Sequence, residues 1–199
     1  MDYLVHYEDG SDGYLSHHGV LGMKWGVRNA ETKARYSRQA KRSVSTQIDA
    51  NSFNKINSMF KSMPLSDRKL IDPDSTDKPK NYFNSLDDYR RTVAYNIVSD
   101  DGFLVAEKIP KNKNVDGTKG VEIGIGVKNK GQGVGTEMTG KLVKWFNHQN
   151  TIDVMWWPVD EHNYASKRIA EKNGFIKDPL GNNYLYATKP STLKNLGIK

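Results

Sequence analysis

The chain has 199 residues and 36% of them are hydrophobic, which is enough for one domain with a modest core and an appendage. The absence of cysteine excludes a disulfide framework, a thiolate zinc site and a cysteine nucleophile. No run approaches the roughly 18 apolar residues of a membrane span, and the N-terminus is acidic where a secretory signal is basic, so we expect a soluble, unexported protein. A net charge of +7 indicates an anionic partner, either nucleic acid or a phosphorylated small molecule.

The chain divides by composition. The first part is rich in Gly and His without a helical or strand period, and the second is basic and then amphipathic at helical spacing from Ile48 to Phe60. Prolines and aspartates predict mostly loop over residues 64–90. The expected parts are an extended tail at 1–30, a helical segment at 31–63, the main domain at 64–190 and a C-terminal tail at 191–199.

From residue 92 onward the pattern is that of an α/β domain. Residues 92–98 and 103–107 predict a hairpin, and residues 121–127 predict a third strand in which Gly124 and Gly126 are unusual. Glycine inside a strand often marks a bulge or a close ligand. The remaining patterns predict a helix after the KGQGVGTEM segment, a strand at 151–157, a helix at 164–172 and a final hairpin formed by 175–176 and 184–187. The predicted order is β-β-β-α-β-α-β-β.

Three glycines, Gly131, Gly133 and Gly135, lie between the third strand and the following helix. Such a loop presents backbone N–H groups to an anion, and the helix dipole adds about half a positive charge there. The spacing matches neither the phosphate loop of nucleotide hydrolases nor the dinucleotide GxGxxG motif. Taken alone, the loop is also compatible with a flexible turn that binds nothing.

Two ordered sequence blocks resemble the GNAT superfamily of N-acetyltransferases. The segment GVKNKGQGVGTEM looks like the family's acyl-coenzyme A pyrophosphate loop, with Lys130 at the Arg or Gln position and Gly133 and Gly135 as the motif glycines. The second signature, N-x-x-S-x-x-x-x-x-K-x-G-F, is filled by Asn163, Ser166, Lys172, Gly174 and Phe175. The resemblance covers about residues 85–188 and implies an acetyl-CoA-dependent N-acetyltransferase.

This resemblance implies a fold and a cofactor site. The fold is α/β (α+β), a mixed, mainly antiparallel sheet flanked by helices, which splays after the strand at 121–127 and holds acetyl-CoA in the gap. The backbone of the splayed strand, the glycine loop and the second block then contact the cofactor. The implied cofactor-binding residues are Ile125, Val127, Lys130, Gly131, Gln132, Gly133, Val134, Gly135, Thr136, Asn163 and Ser166.

The implied chemistry is direct attack of a neutral amine on the acetyl carbonyl. An alkylamine has a pKa of roughly 10.4 and must first lose a proton, for which Glu122 is the candidate base. The Tyr that commonly acts as acid in the family, four residues before the Gly of Gly-Phe, is replaced by Ala170. Tyr164 and Tyr184 are the candidate substitutes, with Tyr186 as a third, and each is also typical of ordinary packing.

The acceptor is expected to be a small-molecule or protein amine. Asp160 and Glu161 follow the strand at 151–157, beside the expected acceptor opening, where acidic side chains suit a cationic amine. Nucleic acid is a weaker expectation, because it depends on net charge alone and explains neither block. We expect no membrane partner.

The segment HHGVLGMKWGVRN, residues 17–29, is too distinctive for a plain linker. His17 and His18 lack a third ligand, so we expect no metal site. The segment resembles a short motif of structural proteins of bacteriophages that infect Gram-positive bacteria. It implies a phage or prophage protein that docks on a phage structural protein through residues 16–29, located in the bacterial host cytoplasm or on the virion. The alternative is a virion or morphogenesis protein that keeps the fold and binds CoA weakly or not at all.

Overall fold

A computed structural model describes residues 3–6, 12–15, 44–110, 118–179, 181 and 183–196. The chain separates into two units, Met1–Arg42 and Ser43–Lys199. In the first unit, strands β1 (Tyr3–His6) and β2 (Asp12–Leu15) form an antiparallel hairpin, where an extended tail was expected. Two strands of four residues are too short for a reliable period-two signal. The segment at 16–29 lies outside the described residues.

The second unit contains the expected series of strands and helices. Its elements are α1 (Ala50–Ser62), α2 (Leu65–Lys69), α3 (Leu86–Thr92), β3 (Val93–Val98), β4 (Gly102–Lys108), β5 (Gly120–Val127), α4 (Val134–His148), β6 (Val154–Pro158), α5 (Tyr164–Lys172), β7 (Ile176–Lys177), β8 (Asn183–Tyr186) and α6 (Pro190–Asn195). The predicted order is confirmed from β3 to β8. No helix among the described residues is long and apolar enough to cross a membrane.

Two short helices stand where loop or tail was expected. Helix α2 lies in the predicted loop at 64–90, and α6 lies in the predicted C-terminal tail. A proline stands at the start of each helix, since Pro64 is the N-cap that precedes α2 and Pro190 is in the first turn of α6. Proline at these positions is compatible with a helix start because its φ is already near the helical value. The prolines were therefore helix starts as well as loop signals.

The second unit is built on one six-stranded sheet with the order β3-β4-β5-β6-β8-β7. Strands β5 and β6 are parallel, and all other neighbours are antiparallel, which confirms the expected mixed, mainly antiparallel sheet. The β5–β6 pairing covers only Gly120 to Glu122, whereas β5 pairs with β4 as far as Val127. The sheet therefore splays at Glu122, within the strand and not after it, because β5 follows β4 while β6 follows β8.

The sheet is covered on both faces. Helix α4 buries Val134, Met138, Leu142 and Phe146 against one face, and α1 packs Ile56 and Phe60 in a second cluster with Phe103 and Val105 of β4. The helix α1 thus belongs to the same unit as the sheet.

The unusual strand glycines are explained by packing on the α1 face. A Cβ at Gly126 would lie 2.5 Å from Met63 Cε and 2.6 Å from Phe103 Cε1, and a Cβ at Gly124 would collide with the Tyr82 hydroxyl. Side chains from outside the strand occupy the space that these glycines leave.

Candidate functional site

A cavity of about 450 Å³ opens where β5 and β6 separate. The second half of β5, from Glu122 to Val127, forms its base. The glycine loop, α5, the residue that follows α1, helix α2 and Tyr82 also line it. The splay of the sheet is therefore what creates the space for a ligand.

The glycine loop at the N-terminus of α4 is shaped for an anion. Gly131 and Gly133 have φ values of 77° and 76°, in the left-handed region that favours glycine. Gly133 is the N-cap of α4, where no side chain caps the helix, and the helix begins its hydrogen bonds with Glu137 N–H donating to Gly133 O. The N–H groups of residues 134–136 consequently have no acceptor within the helix, which together with the helix dipole makes an anion site.

Gly135 permits close contact between α4 and α5. A Cβ at this position would lie 2.8 Å from Ile169 Cδ1. The two motif glycines therefore act differently: Gly133 supplies a left-handed turn, and Gly135 supplies close helix packing.

Lys130 joins the glycine loop to α2 through an ion pair. Its Nζ lies 2.7 Å from Asp67 Oδ1, and the two side chains are 67% and 22% exposed. Both residues line the cavity. A cation is therefore held beside the anion site, partly balanced by a carboxylate of α2.

The second sequence block begins at the N-terminus of α5. The Asn163 side chain caps this helix by accepting from Ser166 N–H at 3.1 Å, and both residues line the cavity. Because the cap uses the amide oxygen, the amide NH₂ of Asn163 is the donor that it can offer to a ligand. Ser166 can offer its hydroxyl.

Two carboxylates lie on neighbouring strands in the cavity lining. Glu107 on β4 and Glu122 on β5 are directly opposite in the antiparallel register, and both line the cavity. Glu107 accepts a hydrogen bond from the Tyr82 hydroxyl at 2.7 Å. Burial raises the pKa of Glu107, the Tyr82 hydrogen bond opposes this, and the charge of Glu122 adds to the increase. Burial and the Glu107 charge hold the pKa of Tyr82 well above its usual range, so the phenol remains the donor.

Glu122 and all eleven sequence-predicted cofactor residues line this one cavity. The structure does not bring the candidate acids to it. Tyr164 is 73% exposed, with its ring 5.4 Å from Lys167 Nζ, and Tyr184 is buried with its hydroxyl donating to Glu171 Oε1 at 2.9 Å. These tyrosines lie away from the cavity because of the way their side chains point. Helix α5 directs Asn163 and Ser166 toward the cavity and Tyr164 toward solvent, and the Tyr184 side chain points into the core.

The residue at the family's acid position, Ala170, is fully buried in the core. Tyr186 packs against Phe146 and Phe175, and Asp160 and Glu161 also lie outside the cavity lining.

Tyr82 and Glu107 are cavity residues that sequence reasoning missed. Tyr82 lies in a Pro-rich segment without a motif, and its position depends on long-range packing. Glu107 had a usable signal: it lies one residue before the end of β4, the strand that precedes β5, and antiparallel pairing of the two strands brings it close to Glu122.

Comparison with known protein families identifies the fold. The model of the acetyltransferase (GNAT) domain matches residues 42–176. The chain belongs to this GNAT family. A separate family of unknown function matches residues 8–32 of this GNAT protein. No curated protein sequence matches this chain.

Solved structures similar to this GNAT protein share its fold at low identity. The GNAT domain of S. lividans PAT superposes with a TM-score of 0.55 at 10% identity, covering 94% of this chain and 96% of that one. Salmonella typhimurium yncA, solved with its cofactor acetyl-CoA, superposes with a TM-score of 0.53 at 15% identity. The match covers 75% of this chain and 95% of yncA. The Vibrio cholerae spermidine N-acetyltransferase, in complex with CoA and spermine, superposes with a TM-score of 0.50 at 10% identity. The match covers 74% of this chain and 96% of the spermidine N-acetyltransferase. Structures of this fold thus hold acetyl-CoA or CoA.

Proposed function

We propose that this GNAT protein transfers an acetyl group from acetyl-CoA to an amine. The observation that carries the proposal is the uncapped N-terminus of α4, with left-handed Gly131 and Gly133, at a cavity that Glu122 also lines. This arrangement combines an anion site with a carboxylate base in one space.

The residues of the cavity fit acetyl-CoA, which supplies an acetyl thioester when bound. The pyrophosphate is held by the loop N–H groups of residues 131–136 and by Lys130, and the Asn163 amide and Ser166 hydroxyl contact the cofactor arm. Beyond Glu122, the β5 edge has no β6 partner. The backbone at Ile125 and Val127 is therefore available to an extended ligand arm.

Glu122 removes a proton from the acceptor ammonium, directly or through water, so that the neutral amine attacks. The N–C bond forms as the C–S bond breaks, CoA leaves as a thiolate, and the positively charged nitrogen then gives its second proton to that thiolate or to water. Ala170 supplies no acid, but a thiolate is a tolerable leaving group, so loss of the acid lowers the rate without abolishing transfer.

We also propose a phage or prophage origin, with residues 16–29 docking on a phage structural protein, in the bacterial host cytoplasm or on the virion. The support is the sequence of the HHGVLGMKWGVRN segment. The second candidate function, a virion or morphogenesis protein with weak or absent CoA binding, is favoured by the same segment together with Ala170.

Calorimetric titration of acetyl-CoA into the full chain tests the proposal. Gly131→Asp places a carboxylate in open space beside the anion site, and we expect it to abolish binding. The matched control is Gly174→Asp, since Gly174 also has a positive φ, 82°, but lies outside the cavity lining; we expect it to bind like the unmodified chain. No binding by the intact, folded chain would overturn the enzyme proposal and favour the virion protein.

A further inference from the structure

We infer that Glu107 and Glu122 together form the binding site for the acceptor ammonium, that Tyr82 positions Glu107, and that the acceptor is a primary amine on an unbranched apolar stem. This inference rests on the proposed acetyl transfer. It assigns a site and a substrate class within the same cavity.

The first support is the register of β4 and β5. Residues directly opposite in an antiparallel pair have Cβ atoms about 4.5–5.5 Å apart, so the Glu107 and Glu122 side chains are neighbours on the same face of the sheet. Like charges opposite one another are unfavourable. Among the residues that the structure describes, Lys, Arg and His form no ion pair with either carboxylate. A bound ammonium compensates both charges.

The second support is the way in which Tyr82 is held against Glu107. Its ring packs among Phe60, Phe83 and Phe103, with centroid distances of 5.2, 4.8 and 5.7 Å. Gly124 leaves the space that the hydroxyl occupies. The hydroxyl engages Oε1 of Glu107 at 2.7 Å, which orients the carboxylate and leaves Oε2 for a ligand. Tyr82 is therefore a positioning residue.

The third support is the apolar part of the cavity lining. Met63, Leu70 and Ile71 line the cavity on the α2 side, and Leu70 remains 39% exposed. An acceptor with hydroxyl groups would lose hydrogen bonds with water against this wall, whereas an alkyl stem gains apolar contact. Asp67, the third acidic residue that lines the cavity, is paired with Lys130. The surroundings favour one ammonium at the end of an apolar stem.

The experiment compares hexylamine with glucosamine as acceptors, by thiol release from acetyl-CoA, alongside calorimetry of acetyl-CoA. We expect hexylamine to have at least a tenfold higher kcat/KM than glucosamine. Glu107→Gln keeps an oxygen that can accept from Tyr82 but removes the negative charge. Because a charge-assisted contact with the ammonium is lost, we expect the hexylamine KM to rise by about tenfold or more, with a smaller change in kcat. Tyr82→Phe should raise the same KM by less, and neither change should alter the dissociation constant of acetyl-CoA.

The matched control is Glu161→Gln, which removes the same charge from an exposed residue outside the cavity lining and should leave the hexylamine KM unchanged. Failure of the intact chain to bind acetyl-CoA overturns the proposed function itself. If acetyl-CoA binds but Glu107→Gln leaves the hexylamine KM unchanged, only the ammonium site is overturned. If acetyl-CoA binds but both amines are used equally, the assignment of an apolar stem is overturned.

If neither amine is acetylated, hexylamine is titrated into the chain in the presence of CoA and its binding is measured by calorimetry. If the intact chain does not bind hexylamine, the inference is overturned. If the intact chain binds it and Glu107→Gln weakens that binding, the inference is supported. If Tyr82→Phe does not fold, Glu107→Gln decides by itself.

Discussion

The Tyr82 hydroxyl lies where a Cβ of residue 124 would stand, so the absence of a side chain at Gly124 and the position of Tyr82 depend on each other. Gly124 also lies opposite Val105, whose Cγ2 would be 3.2 Å from such a Cβ. The strand glycine therefore acts on the cavity through a side chain that is distant in sequence.

Gly124→Ala should force the Tyr82 hydroxyl away from Glu107. We expect a loss of about 1–3 kcal/mol in the free energy of unfolding, as for other overpacked sites, and a higher KM for the amine. Urea unfolding and steady-state kinetics measure the two effects. Gly140→Ala is the control, because Gly140 lies within α4 and its Cβ would be 3.4 Å from Asn173 Oδ1; alanine there should be neutral or stabilising. Equal effects of both changes would contradict the role of Gly124.

Replacement of Glu107 should change how stability depends on pH. Because burial raises the pKa of Glu107 above its unfolded value, the folded state binds more protons in the window between those two pKa values, and stability is lost as pH rises through it. Glu107→Gln removes this loss. We expect calorimetry to show a higher Tm than that of the unmodified chain at pH 7.5, with the difference shrinking as pH falls toward 4.5. A difference that stays constant over this range would contradict the prediction.

Lys130→Ala should weaken acetyl-CoA binding with little effect on stability. The Lys130–Asp67 pair is largely exposed on the lysine side, and such pairs contribute about 0–1 kcal/mol to stability. A lost contact between a cation and phosphate is larger, and we expect about tenfold weaker binding by calorimetry. Lys128→Ala is the matched control, since Lys128 is exposed nearby but does not line the cavity. Equal weakening by both changes would show a general charge effect.

Asn57→Ala should destabilise the segment that carries Tyr82. Asn57 is buried on α1, donates to Phe83 O at 3.1 Å and accepts from Phe83 N–H at 2.9 Å, which fixes the backbone beside Tyr82. The change leaves two buried backbone groups unpaired, and we expect it to lower the free energy of unfolding by about 2–4 kcal/mol. Asn54→Ala on the exposed face of the same helix should have little effect. Urea unfolding of the two variants tests the difference.

Features governed by neighbouring residues were predictable from the sequence. The glycines of the loop predicted its exposed N–H groups, and α5 begins at Tyr164 and ends at Lys172 as expected, because Asn163 caps it and Asn173-Gly174 ends it. The prolines of α2 and α6 were ambiguous, because proline is common both in loops and in first turns of helices.

The sequence by itself determined the order of the elements from β3 to β8, the exposed N–H groups of the glycine loop and the membership of the family, because each depends on local conformation or on short motifs. Only the tertiary structure decided which side chains meet at the cavity. Tyr82 reaches Glu107 across 25 residues, and Lys130 reaches Asp67 across 63. Tyr164, one residue from the motif position Asn163, faces solvent. The direction of a side chain into a shared cavity depends on how helices and strands pack, and that information is spread over the whole core.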